Sequence, residues 1–207
     1  MTPRPVSREA ATAMILYLAS TSPRRSALLR AAGIDFVVVE PGSEPTESGV
    51  PATIARDRAI AKARGATLGP GAVPGVVLGV DTVVDLDGQE LGKPRNAEHA
   101  RSMLARLAGR DHRVHTGVAL VAWPSREVVV SDVATALVRF APLDDQRLDA
   151  HVALGLHAGK AGAYGIQDPP TAAFARVLEG ELDTVIGLPV DLLCAHLSAL
   201  GFGGWGR

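Results

Sequence analysis

Short apolar runs, separated by clusters of glycine, proline and polar residues, set the pattern of this chain. The first, residues 15–19, predicts a buried strand that stops at Ser20. Ser22 is then placed as an N-cap and Pro23 as the first helical residue, where a missing N–H costs nothing. Ala27, Leu28 and Leu29 carry the helix on, and Gly33 ends it. Residues 36–39 predict a second, β-branched strand. Beyond Glu40, a loop over 41–51 holds Glu44 and Glu47, and an alanine-rich helix follows over 52–68. The glycines and prolines of 69–75 break that helix.

Residues 76–81 predict a buried strand that finishes on the Asp81 carboxylate, and 82–86, the Asp87-Gly88 turn and 90–91 predict a hairpin. Asn96 caps a helix whose Ala100, Met103, Leu104 and Leu107 share one face, and Gly109 ends it. Two long strands, 114–123 and 128–140, flank a Pro124-Ser125 turn. A helix over 143–154 and an irregular glycine-rich stretch over 160–167 come next. Strands at 172–178 and 183–186 around Glu179-Gly180 follow, then a helix opened by Pro189 with Leu193, Leu197 and Leu200 at helical spacing. Alternating strands and helices interrupted by hairpins predict an α/β fold with a mixed sheet.

Composition narrows the classes. At 207 residues and 47% hydrophobic, the chain can bury one sizeable core, and 14–207 reads as one domain. A net charge of -1 with no basic run leaves no electrostatic footprint for nucleic acid or a membrane surface. The apolar runs are too short to span a bilayer. Cys194, the single cysteine, cannot form an internal disulfide and fits a reducing compartment. Residues 1–13 lack a signal-peptide core and read as a disordered tail.

The basic residues carry the chemical signal. Only three of 21 are lysine: Lys62, Lys93 and Lys160. A surface charge is indifferent to which cation supplies it, whereas a compact ammonium aimed at phosphate is not, so these three are candidates for chemistry. Arg24 and Arg25 fall in the first turn of their helix, where free N–H groups favour anions over cations. A bound phosphate would repair the mismatch. Asp81 is then placed to orient or deprotonate an attacking water. His112 and His115, three apart on a strand, face opposite sides and cannot easily share a metal. Ser20, Ser22 and Ser26 have no adjacent His–Asp pair to make a nucleophile.

These residues stand in a sequence of spaced motifs: Ser20-Thr-Ser-Pro-Arg-Arg25, Lys62-Ala63, Asp81-Thr82-Val83, Lys93-Pro94, the unbroken Lys-Ala-Gly-Ala-Tyr-Gly-Ile-Gln over 160–167, and Gly187-Leu188-Pro189. In that order they resemble the Maf family of nucleoside triphosphate pyrophosphatases, also known as septum-formation inhibitors. The resemblance implies a mixed, curved sheet with flanking helices in two lobes around a cleft, as in Maf and ITPase-like proteins. It implies hydrolysis of a nucleoside triphosphate to the monophosphate and diphosphate, with Mg or Mn as cofactor. Asp81 would be the proton acceptor. Ser20, Arg24, Arg25, Lys62, Thr82, Lys93, Lys160 and Gln167 would bind substrate, and Glu44 and Asp81 the metal. Arg24, Thr82 and Gln167 resemble the subgroup acting on dTTP and UTP, and the family is usually a cytoplasmic homodimer.

Two departures stand out. The family usually carries two acids in the loop after the second strand, whereas here Glu44 is followed by Pro45. After Gln167 the family runs through glycines, whereas this chain has Asp168-Pro169-Pro170. Two rival readings remain at this stage: the same reaction on a methylated purine, and a non-catalytic nucleotide-binding regulator of septum formation.

Overall fold

Strand β1 (Ile15–Ala19) leads through Ser20 into helix α1 (Pro23–Ala31), and β2 (Val37–Val39) returns parallel to β1. The computed structural model describes residues 14–45 and 48–202; the tail expected at 1–13 lies outside them. Ser22 sits at the N-cap in extended conformation, but its side chain makes no capping bond. Helix α2 (Pro51–Arg64) crosses to β3 (Gly75–Leu86), which pairs parallel with β1 and antiparallel with the short β4 (Gln89–Leu91). Helix α3 (Ala97–Leu107) is capped by Asn96, whose side chain accepts the His99 N–H at 2.8 Å. Then come β5 (Asp111–Trp123), β6 (Val128–Phe140) and helix α4 (Asp145–Ala153). A 3-10 turn (Ala161–Ala163), α5 (Pro169–Ala172), β7 (Ala175–Glu179), α6 (Leu182–Ile186) and α7 (Val190–Ala199) finish the described chain. The strands form one seven-stranded mixed sheet, ordered β2-β1-β3-β5-β6-β7, with β4 beside the far half of β3.

Side-chain alternation divides the core. On one face Tyr17, Ala19, Val77 and Val121 pack against Ala63 and Ala66, at the end of α2. On the other face Leu18, Leu78, Val80, Val118 and Leu120 pack with Leu29 of α1 and Leu193 and Leu197 of α7. Further along that same face Val84, Val114, Val138 and Phe140 pack with Met103, Leu104 and Leu107 of α3. Thr82 and Thr116, partners in the β3/β5 register, separate these two apolar groups. The sheet thus has two lobes on one side, with a polar seam between them.

Four sequence expectations need correction. Asp81 does not end a strand: it lies midway along the 12-residue β3. What ends nearby is β1, whose last pair is Ala19 with Gly79, while β4 begins pairing only at Val84. Residues Val80 to Val83 of β3 therefore border a gap in the sheet rather than a strand end. The segment 183–186 is helical, not extended: Leu182, Val185 and Ile186 fit one helical face, and Asp183 satisfies the local backbone. Its carbonyl accepts the N–H groups of Gly187 and Leu188 at 2.8 and 3.0 Å, and its side chain accepts that of Val190 at 2.8 Å. The strand expected at 172–178 starts only at Ala175, because Pro169 opens a helical turn that takes up Ala172. Helix α2 also stops earlier than 68, at Gly65, which packs backbone to backbone against Gly42.

Candidate active site

The sheet gap opens into a cleft of about 520 Å³. All ten residues singled out from the sequence line it: Ser20, Arg24, Arg25, Glu44, Lys62, Asp81, Thr82, Lys93, Lys160 and Gln167. The β1–α1 turn forms one wall, the Gly165 to Gln167 stretch another, and β3 the floor.

Helix α2 reaches the floor because nothing bulky separates it from the sheet. Ala55, Ala59 and Ala63 form a buried stripe at four-residue spacing, and it meets two glycines. A Cβ on Gly79 would lie 2.0 Å from the Ala59 carbonyl oxygen, and one on Gly117, the partner of Asp81, 2.3 Å from that of Ala55. This close approach brings Lys62 over Asp81. The Lys62 ammonium donates to Asp81 Oδ1 at 2.5 Å and lies 2.8 Å from Glu44 Oε1, joining the two carboxylates through one cation. Asp81 Oδ2 is buried and has no hydrogen-bond partner. Burial alone pushes the Glu44 carboxyl up, but the bonded Lys62 ammonium, with Lys93 and Arg58 nearby, holds it below its ordinary value.

Arg25 is anchored on three sides. Its Nε donates to the Gly187 carbonyl at 2.9 Å, Nη1 to Ser20 Oγ at 3.1 Å and Nη2 to Thr82 Oγ1 at 3.4 Å. Burial pulls this guanidinium down to about 10, opposed by the Asp81 carboxylate and assisted by Arg24. Thr116 donates to the Thr184 carbonyl at 2.7 Å, so Thr82 must donate across the 3.0 Å contact between the two hydroxyls. A directed chain, Arg25 to Thr82 to Thr116 to Thr184, fills the seam between the lobes. Lys93 is mostly exposed, with its nitrogen 3.9 Å from Glu44 Oε1. Lys160 is differently placed: it is paired with Asp168 beneath Gly165. Behind the same wall, Tyr164 bonds His112 Nε2 at 2.7 Å. Burial pulls the His112 imidazole down to about 4 and pushes the Tyr164 phenol up. His115 faces away, between Thr135 and Asp85.

A sequence model of Maf-like proteins matches residues 15–200. The chain belongs to the Maf family. This Maf protein is 43% identical over 190 residues to the dTTP/UTP pyrophosphatase of Symbiobacterium thermophilum, covering 90% of this chain and 94% of that one. It is 44% identical over 187 residues to the dTTP/UTP pyrophosphatase of Thermus thermophilus, covering 90% and 95%. The dTTP/UTP pyrophosphatase of Thermotoga maritima is 39% identical over 189 residues, with 91% of each chain covered.

Two residues behind Asp81, outside the lining of the cleft, have no counterpart in the motifs of the sequence. Arg58 binds Glu90 through both terminal nitrogens, at 2.5 and 3.1 Å, and its Nη1 lies 4.0 Å from Asp81 Oδ2. Burial draws the Arg58 guanidinium down, but Glu90, Asp81 and Glu44 carry it above its ordinary value. The available signal was Arg58 standing four residues before Lys62, on the same helical face.

Proposed function

We propose that this Maf protein hydrolyses dTTP and UTP to the nucleoside monophosphate and pyrophosphate. The observation that carries this reading is the asymmetry of Asp81, which lines a cationic cleft: one oxygen is held by Lys62 and the other is buried and unbonded. A carboxylate fixed in this way fits a general base more closely than a binding contact. Mere retention of a nucleotide has no use for it, which counts against a non-catalytic regulator. The dTTP/UTP pyrophosphatase activity for which the three relatives are named supports the pyrimidine substrates.

In this mechanism Asp81 Oδ2 takes a proton from water while the water oxygen bonds to the α-phosphorus. The bond from that phosphorus to the α–β bridging oxygen breaks, and the electron pair leaves with pyrophosphate. Arg24, Lys62 and Lys93 neutralise the phosphate oxygens as charge builds on the leaving group. Arg25, anchored by Ser20, Thr82 and Gly187, contributes its charge from a fixed position. Gln167 and the wall behind it face the base. Lys160 binds substrate only through that wall, since its ammonium is paired with Asp168.

Glu44 and Asp81 fit a hard divalent cation, Mg or Mn: Lys62 gathers the two carboxylates to one point, and Asp81 Oδ2 has lone pairs to spare. One or two carboxylates completed by phosphate oxygens and water make an ordinary Mg²⁺ ligand set. When bound, the cation would offset phosphate charge. No helix among the described residues is long and apolar enough to cross a membrane. We place the protein in the cytoplasm, as a homodimer, on family resemblance.

The test is product analysis over natural and modified triphosphates with Mg²⁺ and Mn²⁺ compared. Pyrophosphate is the expected first product, with pyrimidines preferred. Asp81→Asn is expected to lose at least ~10²-fold in kcat with an unchanged circular dichroism spectrum. Orthophosphate as first product, preference for a methylated purine, or wild-type turnover in Asp81→Asn would reject the proposal.

A further inference from the structure

Arg58 and Glu90 belong to none of the motifs above, yet they border the atom on which the proposed reaction turns. Glu90 lies on β4 opposite Asp85, on the sheet face that α2 covers, and Arg58 reaches it from α2. The fork between them uses both terminal nitrogens of Arg58. At 4.0 Å, Arg58 Nη1 is close to Asp81 Oδ2 but outside hydrogen-bond range. Two buried atoms here lack partners: Arg58 Nε, a donor, and Asp81 Oδ2, an acceptor. The Arg58 guanidinium and the unpaired Oδ2 are complementary, and a bond between them would offset the desolvation cost of that oxygen. The guanidinium fork is instead engaged by Glu90.

We propose that Glu90 is a positioning residue that holds Arg58 off Asp81, so that Oδ2 stays free for water. This rests on the reading of Asp81 given above. Released from Glu90, Arg58 would turn its fork onto Asp81, whose Oδ1 already belongs to Lys62. Both carboxylate oxygens would then be held in ion pairs, which leaves Asp81 a weaker base and places a guanidinium where the water must approach. The damage caused by losing Glu90 should therefore require Arg58 to be present. An ordinary structural ion pair would show its rescue in the urea midpoint, where removing Arg58 relieves an orphaned charge, and would leave the kcat of the folded enzyme near wild type throughout.

The experiment compares full-length wild type, Glu90→Met and Arg58→Met/Glu90→Met for kcat and KM of pyrophosphate release, with urea midpoints alongside. Glu90→Met is expected to lose ~10²-fold or more in kcat while KM moves less than ~3-fold. The double variant is expected to regain at least ~10-fold over Glu90→Met. Near-wild-type kcat in Glu90→Met, or a double variant no better than the single, overturns the proposal. If Glu90→Met does not fold, Glu90→Asp and Arg58→Met/Glu90→Asp take its place under the same criteria. Wild type that releases no pyrophosphate, or an active Asp81→Asn, would instead refute the underlying assignment of Asp81.

Discussion

Gly79→Ala tests whether the close seat of α2 on the sheet is what assembles the site. The added Cβ would stand 2.0 Å from the Ala59 carbonyl oxygen, 2.8 Å from the Ala63 nitrogen and 2.9 Å from the Ala63 Cβ. Backbone and a methyl group cannot fold aside as the tip of a long side chain can. The helix must retreat by upward of ~1 Å to restore ordinary contact. Overpacking of this kind costs about 1–3 kcal/mol. Lys62 lies between Ala59 and Ala63, so it retreats with them, and its 2.5 Å bond to Asp81 lengthens past the range of a charge-assisted hydrogen bond. Misplacement by ~1 Å can cost ~10²-fold in rate. Urea denaturation should show a lower midpoint at unchanged slope, and pyrophosphate release from the still-folded variant should fall by one to two orders of magnitude, roughly. Gly69→Ala is the control, since a Cβ there meets nothing within 4 Å. Wild-type midpoint and turnover in Gly79→Ala would refute the reasoning.

Thr116→Val keeps the shape of a fully buried side chain but leaves the Thr184 carbonyl and the Thr82 hydroxyl without their partner. It should destabilise by about 1–3 kcal/mol, read as a fall in melting temperature of roughly 2–4 °C per kcal/mol. His112 predicts the acid limb of stability. Burial lowers its pKa from 6.5 to about 4 in the folded chain, so the unfolded state binds the proton more readily and acid favours unfolding. Its contribution is complete above pH 6.5 and is lost as pH falls towards 4, on the order of 3 kcal/mol in all. His151, lowered by burial as well, acts in the same direction. Urea midpoints measured from pH 7 to 4.5 should fall less steeply in His112→Gln, and parallel curves would refute the assignment.

Much of this architecture was legible from local rules. The strand into Pro23, the Asn96 cap and the long β5–β6 hairpin were read correctly because each depends on residues near in sequence. The scarcity of lysine pointed to three positions, and all three line the cleft. Its limit appears at Lys160. Residue choice marked the position, but the Asp168 beneath Gly165 that takes its charge is a matter of loop geometry. Asp81 seemed to end a strand because its polarity interrupts an apolar run. The actual break is in its neighbour β1, which no local pattern in β3 records. The five residues of α6 were too few for periodicity to separate helix from strand. The Arg58–Glu90 pair joins a helix to a strand 32 positions away, which spacing alone does not reveal.

The Arg25 anchor bears on how the protein is made. Its guanidinium depends on Gly187, 162 positions downstream, and the wall bearing Gln167 is also a late stretch of chain. A ribosome that has released only the first five strands has already supplied Asp81 and Lys62, but nothing to fix the arginine beside them. Such distant pairings form late. The arginine anchor therefore waits until the chain has been made through Gly187, well after the floor of the site is in hand.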